Sequence, residues 1–153
     1  MMLGLLSTAL VTFVAAVGIG GALYEHSVVD SAWPRNPILI QPAKHGLQRV
    51  RFWVPAHSAL EIALLGAIAL NWHLPVVRNL LLAAFACHAV MRVWSFVDLI
   101  PKVLAFERSD AAAIEPSAAR AWVVRSMLRF PLAIATAGLA VAALTAIWAA
   151  KSL

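Results

Sequence analysis

The chain carries too little charge to be a soluble domain. Only 12% of its 153 residues are Asp, Glu, Lys or Arg, whereas 63% are hydrophobic, and so few polar side chains cannot cover a folded surface facing water. Cysteine is nearly absent: Cys87 stands alone, which excludes an intrachain disulfide, a paired-thiol redox centre and an all-thiolate metal site. There is no basic run either. The Lys and Arg residues are dispersed at the borders of apolar stretches, so the net charge of +5 reads as membrane topology and headgroup contact, not as nucleic-acid binding. No internal repeat, low-complexity tract or second domain interrupts the pattern. What remains is a mean hydropathy of +0.86, the composition of an integral membrane protein.

Four stretches are long and apolar enough to span hydrocarbon, at about 3–24, 52–72, 77–100 and 121–150. They predict an all-α, antiparallel four-helix membrane bundle. The first lacks the basic start and short core of a cleaved leader and reads as a retained helix, with Gly18, Gly21 and Ala22 allowing a close neighbour. Residues 27–51, punctuated by Pro34, Pro37, Pro42 and Gly46, predict an ordered cap over the helix ends. Trp33, Trp53, Arg35, Lys44, Arg49 and Arg51 suit the headgroup zone. Pro55 falls in the first turn of the second span, where its missing N–H has no intrahelical use. Pro101 is expected to end the third span, residues 102–119 to form a loop with a short amphipathic helix, and Pro131 to kink the fourth. The long-loop side carries Arg35, Lys44, Arg49, Arg51, Lys102, Arg108 and Arg120 against Arg78 and Lys151 on the other, which places the long loops in the cytoplasm and the termini outside.

Chemistry should reside where ionisable groups enter the apolar spans, because each costs about 2.5–3.5 kcal/mol at the bilayer centre and defaults to pairing, lining a cavity or functioning. Glu25 and His26 end the first span, His57 and Glu61 enter the second on one face, Arg92 and Asp98 leave the third, and Arg125 and Arg129 begin the fourth, with His88 deeper. All fall in the leaflet nearest the long loops. That convergence predicts one polar site between the four helices.

Three chemistries fit such a site. A transition metal such as iron, zinc or copper would draw on His26, His57, His88 and Glu61, with Glu25 nearby, although the Glu-x-x-His pairs of di-iron bundles are absent. Haem would use His57 or His88 as axial ligands. Without any cofactor, Glu61 and His57 could act as base and partner on an apolar molecule arriving from the lipid, with Arg92 and Arg129 stabilising the negative charge that forms. Tyr24, Glu25, His26, Trp33, Trp94, Trp122 and Arg125 would complete the substrate-binding wall. Against all three stands a structural reading, in which buried Arg–Glu and His–Asp pairs fix helix register. A non-catalytic membrane protein that binds lipid, haem or metal, or serves as an assembly subunit or homo-oligomer, is the alternative of a different class. A transporter fits less well, since four helices offer little for alternating access.

The glycine-rich end of the first span running into Tyr24-Glu25-His26, and Trp122 followed by Ser126 and Arg129 at the start of the fourth, resemble the anthrone-oxygenase-like family of small four-helix integral membrane proteins. Ser126 stands where that family prefers asparagine. The resemblance implies a four-helix fold and an oxygenase that converts anthrone-type aromatics to quinones with molecular oxygen and no obvious cofactor.

Overall fold

The computed structural model describes residues 2–150; Lys151, counted above for topology, lies outside them. Four long helices account for most of the chain: α1 (Met2–Ala32), α2 (Val50–Leu70), α3 (Pro75–Arg108) and α4 (Pro116–Ala149). Each is long and apolar enough to cross a membrane, and their outward sides carry exposed Leu, Val, Ile and Phe. No strand occurs among the described residues.

Antiparallel neighbours form a closed ring in chain order, fixed by contacts at both ends. At the end holding the short 71–74 turn, buried Asn71 donates its side-chain amide to the carbonyls of Gly4 (3.2 Å) and Ala67 (2.8 Å), tying the start of α1 to the end of α2. Gly4 permits this approach, since a Cβ there would stand 2.3 Å from Asn71 Oδ1. Val11, Ala15, Leu64, Ala67, Leu81, Ala84, Ala140 and Ile147 fill this half with an apolar core. Toward the other end, Ser95 and Leu99 of α3 bond Arg129 and Trp122 of α4, the order expected for antiparallel partners.

The helices run further than the apolar pattern suggests. α1 continues past Tyr24 to Ala32 and α3 past Ile100 to Arg108, each through a single widened π turn, at Glu25–Val29 and Ser95–Leu99. In those turns Asp30 N–H bonds Glu25 O and Ile100 N–H bonds Ser95 O. Pro101 therefore does not end α3. The wide turn precedes it, so the proline occupies the first turn of the next α-helical segment, where its lost N–H is tolerated. The amphipathic piece expected within 102–119 is accordingly the tail of α3, followed by a 3-10 turn at Ala111–Ala113. Pro55 is internal to α2, which starts at Val50, and leaves the Arg51 carbonyl without its helical donor. In α4 the expected irregularity lies just before Pro131: a turn at Leu128 and Arg129 separates Pro116–Met127 from Phe130–Ala149.

Between α1 and α2 the chain builds a cap over residues 33–49, shorter than the 27–51 stretch expected because α1 runs on to Ala32 and α2 starts at Val50. Two 3-10 turns, Pro37–Ile40 and Pro42–Lys44, bury Ile40 and Gln41, and Gln41 Nε2 donates to the carbonyls of Phe106 (3.1 Å) and Ser109 (2.9 Å) on the end of α3. Trp33, Ile40, Leu99, Ile114 and Trp122 form a second apolar cluster beneath the cap. Trp33 and Arg49, expected from sequence as interfacial anchors, are instead turned inward, Trp33 onto Asp30 and Arg49 onto Glu25 and Glu107.

His45, not Gly46, takes the left-handed backbone here, at φ 65°. Gly46 is needed for space: a Cβ would lie 2.3 Å from Ile38 O, 2.7 Å from Gln41 N and 2.8 Å from Gln41 O, all backbone atoms. Gly46→Ala should therefore lower stability by about 1–3 kcal/mol, as overpacking does when the obstacle cannot rotate away. Thermal unfolding in detergent checks this, with the open Gly20→Ala as the control that should change little.

Candidate functional site

The two apolar clusters do not meet across the whole section of the bundle. Between them lies a cavity of about 490 Å³, lined by all four helices and by Arg49 from the base of the cap. Such a volume suits a small-molecule ligand. Its walls are mostly aliphatic, and Gly18 contributes by having no neighbour within 4 Å of where a side chain would start. The two π turns stand at this level and carry Glu25, His26 and Ser95 into the lining. Widened turns of this kind recur at functional sites.

Seven of the residues expected from sequence do line the cavity: Glu25, His26, His57, His88, Arg92, Trp122 and Arg129. His88 is 1% exposed, and among the described residues neither of its ring nitrogens has a hydrogen-bond partner. Its Nε2 lies 3.5 Å from Glu61 Oε1, inside ion-pair reach but without hydrogen-bond geometry. His57 stands beside it at 5.5 Å between ring centroids, and is also stacked on Trp53 at 5.3 Å.

Three arginines line the cavity with unlike partners. Arg49 bonds Glu25 (3.0 Å) and Glu107 (3.4 Å) and lies over the Trp122 ring at 5.4 Å. Glu25 spends its second oxygen on Trp53 Nε1 at 2.5 Å. Arg92 bonds Glu61 at 2.9 Å and covers Phe96 at 4.4 Å. Arg129, pointed inward by the turn before Phe130, has no carboxylate partner among the described residues. It donates to neutral oxygens only: Ser95 Oγ (2.6 Å), Ser126 Oγ (2.9 Å) and Ser126 O (3.2 Å).

The other expected site residues go elsewhere. Glu61 is absent from the lining; its carboxylate reaches across the α2–α3 seam to Arg92. Tyr24 is exposed on the outside of α1. Trp33 is fully buried in the cap cluster, its Nε1 held by Asp30 at 3.1 Å, so it cannot touch a ligand in the cavity. Trp94 and Arg125 both bind Asp98, at 3.3 and 2.6 Å, on the side of the bundle away from the lining. The expected metal set does not assemble: His26 Nδ1 is taken by Asp30 at 2.7 Å, and no group of three His, Cys, Asp or Glu side chains converges among the described residues.

Arg49, Trp53, Ser95 and Glu107 line the cavity without having been assigned to it from sequence. Arg49 and Trp53 read as interfacial anchors by composition, and Glu107 as part of a surface loop. Continuation of α3 beyond Pro101 brings Glu107 inward, and no local sequence signal announces the π turn that allows it.

Comparison with protein-family models, with curated proteins and with solved structures finds no match.

Proposed function

We propose that the chain is a small membrane-embedded, oxygenase-like enzyme that holds an apolar molecule in the cavity and removes a proton from it with the His57–His88 pair. One observation carries this reading: the fully buried His88 imidazole lies in the cavity wall with neither nitrogen hydrogen-bonded among the described residues. Leaving such a group unsatisfied costs about 1–3 kcal/mol, a cost that a ligand completing its bonds removes. The base assigned to Glu61 from sequence passes to the imidazoles, since Glu61 is engaged by Arg92 outside the lining. His57, stacked on Trp53 and next to His88, has an orientation set by packing, as a proton acceptor requires.

The resemblance of Tyr24-Glu25-His26 and of Trp122, Ser126 and Arg129 to the anthrone-oxygenase-like family supports dioxygen as co-substrate. An activated methylene gives one proton to imidazole, and the electron-rich carbanion is oxidised by dioxygen. In sum, the methylene and one dioxygen become a carbonyl and one water. The distribution of Lys and Arg supports cytoplasmic long loops and termini outside, so the cavity would lie in the cytoplasmic leaflet.

The test is dioxygen uptake by the protein reconstituted in lipid vesicles and supplied with enolisable or phenolic polycyclic aromatics. Uptake matched by carbonyl product is expected, together with its loss in His57→Phe, which keeps the stack on Trp53. Uptake equal to that of protein-free vesicles for every compound, from protein that nonetheless retains a ligand through purification, would make this a binding protein.

A further inference from the structure

We infer that the cavity takes an apolar acid from the lipid through the seam between α2 and α3, with its oxyanion leading onto Arg129. This rests on the cavity being the site proposed above, and specifies its ligand class and orientation.

The polarity of the inner end points to an oxyanion. A guanidinium has five N–H groups, and Arg129 spends three bonds on neutral oxygens, so donors remain and no countercharge is in contact. The carboxylates of the wall are committed elsewhere: Glu25 to Arg49 and Trp53, and Glu107 to Arg49. His57, in the cavity wall, can add one N–H. A ligand oxyanion satisfies these donors together, whereas an ammonium group would face the guanidinium groups of Arg92 and Arg129. Ser95 and Ser126 fix the plane of Arg129, which makes them positioning residues for this contact.

The entrance follows from which lining residues are exposed. They are Val50 and Val54 of α2 and Phe96 and Leu104 of α3, all apolar and all on the two helices flanking one seam. An opening bordered by such side chains on an outward face that is itself apolar admits a molecule from hydrocarbon in preference to water. Arg92, lying over Phe96 and anchored by Glu61 across the same seam, marks its inner border.

The experiment uses the whole protein in phosphatidylcholine nanodiscs and three probes of like shape: naphthoate, naphthylmethanol and naphthylmethylammonium. Calorimetric binding is corrected for partition into protein-free discs. Naphthoate should bind about tenfold or more tighter than the alcohol, and the ammonium weakest. Arg129→Gln should erase the preference and Arg129→Lys should keep part of it. Should Arg129→Gln fail to fold, Ser95→Ala, which frees the guanidinium, should still reduce the preference. Val54→Trp should slow entry of all three probes. Equal binding of naphthoate and alcohol would overturn the oxyanion assignment while leaving the cavity reading intact, and absence of binding by any probe would overturn both. Unchanged entry rates in Val54→Trp would overturn the lateral route.

Discussion

Arg49→Met is expected to destabilise the protein by about 3–5 kcal/mol, the cost of breaking a buried ion pair by removing one partner. The Arg49 side chain is 9% exposed and its partners Glu25 and Glu107 are 16% and 19% exposed, so water does little to replace it. Removing the cation leaves two carboxylates from α1 and α3 with no shared countercharge, and takes away a side chain that ties the base of the cap to both helices. The contrast is Arg125→Met. Arg125 is 49% exposed over Asp98, Lys102 also serves that carboxylate, and a solvated pair of this kind contributes at most about 1 kcal/mol. Unfolding both variants by denaturant titration in detergent gives the comparison. If charge is the cause, adding Glu25→Gln and Glu107→Gln to Arg49→Met should recover most of the loss. Equal losses for Arg49→Met and Arg125→Met would mean that the Arg49 cluster is solvated and that the cap is held by Trp33, Ile40 and Gln41 alone.

The four-helix plan was legible because apolar length is a direct physical signal: a helix crossing hydrocarbon needs about 20 apolar residues, and four such stretches stand out. Their ends were less legible. Proline is the strongest local stop signal available, yet α3 passes Pro101 because the chain before it, Ser95–Leu99, adopts a widened turn, whose Leu99 carbonyl accepts from Trp122 of α4. The site was legible as a depth but not as a set. Glu25, His57, His88, Arg92 and Arg129 were gathered by their common level in the bundle, and they do line one cavity. Level alone does not say which way a side chain turns. Arg125 and Arg129 are four residues apart and would share a helix face, but the turn at Leu128 and Arg129 separates them, sending one to Asp98 outside and the other to Ser95 inside. Trp33 failed as a binding residue for a related reason: α1 continues past Tyr24, so Trp33 arrives at the end of a helix and beneath a cap, where its indole packs on Trp122 at 5.8 Å.

His88→Leu is expected to make the protein more stable and inactive. The His88 imidazole is buried with neither nitrogen hydrogen-bonded among the described residues, and substituting an apolar side chain of similar bulk removes that penalty, a gain of about 1–2 kcal/mol. Its neighbours tolerate the change, because Glu61 keeps its bond to Arg92 at 2.9 Å and Leu81 and Ala84 already make the adjoining face of α3 apolar. Turnover should fall by roughly 10²–10⁴, the usual contribution of a positioned proton acceptor. A histidine kept only for register would behave in the opposite way, since removing a structural partner lowers stability. The two measurements, denaturant midpoint and dioxygen uptake, therefore separate the roles. Lower stability in His88→Leu would assign His88 to a bonded structural network that includes Glu61, and proton transfer would then rest on His57 alone. Higher stability with lost uptake would identify a group that this fold carries at a cost to itself, as residues retained for activity commonly are.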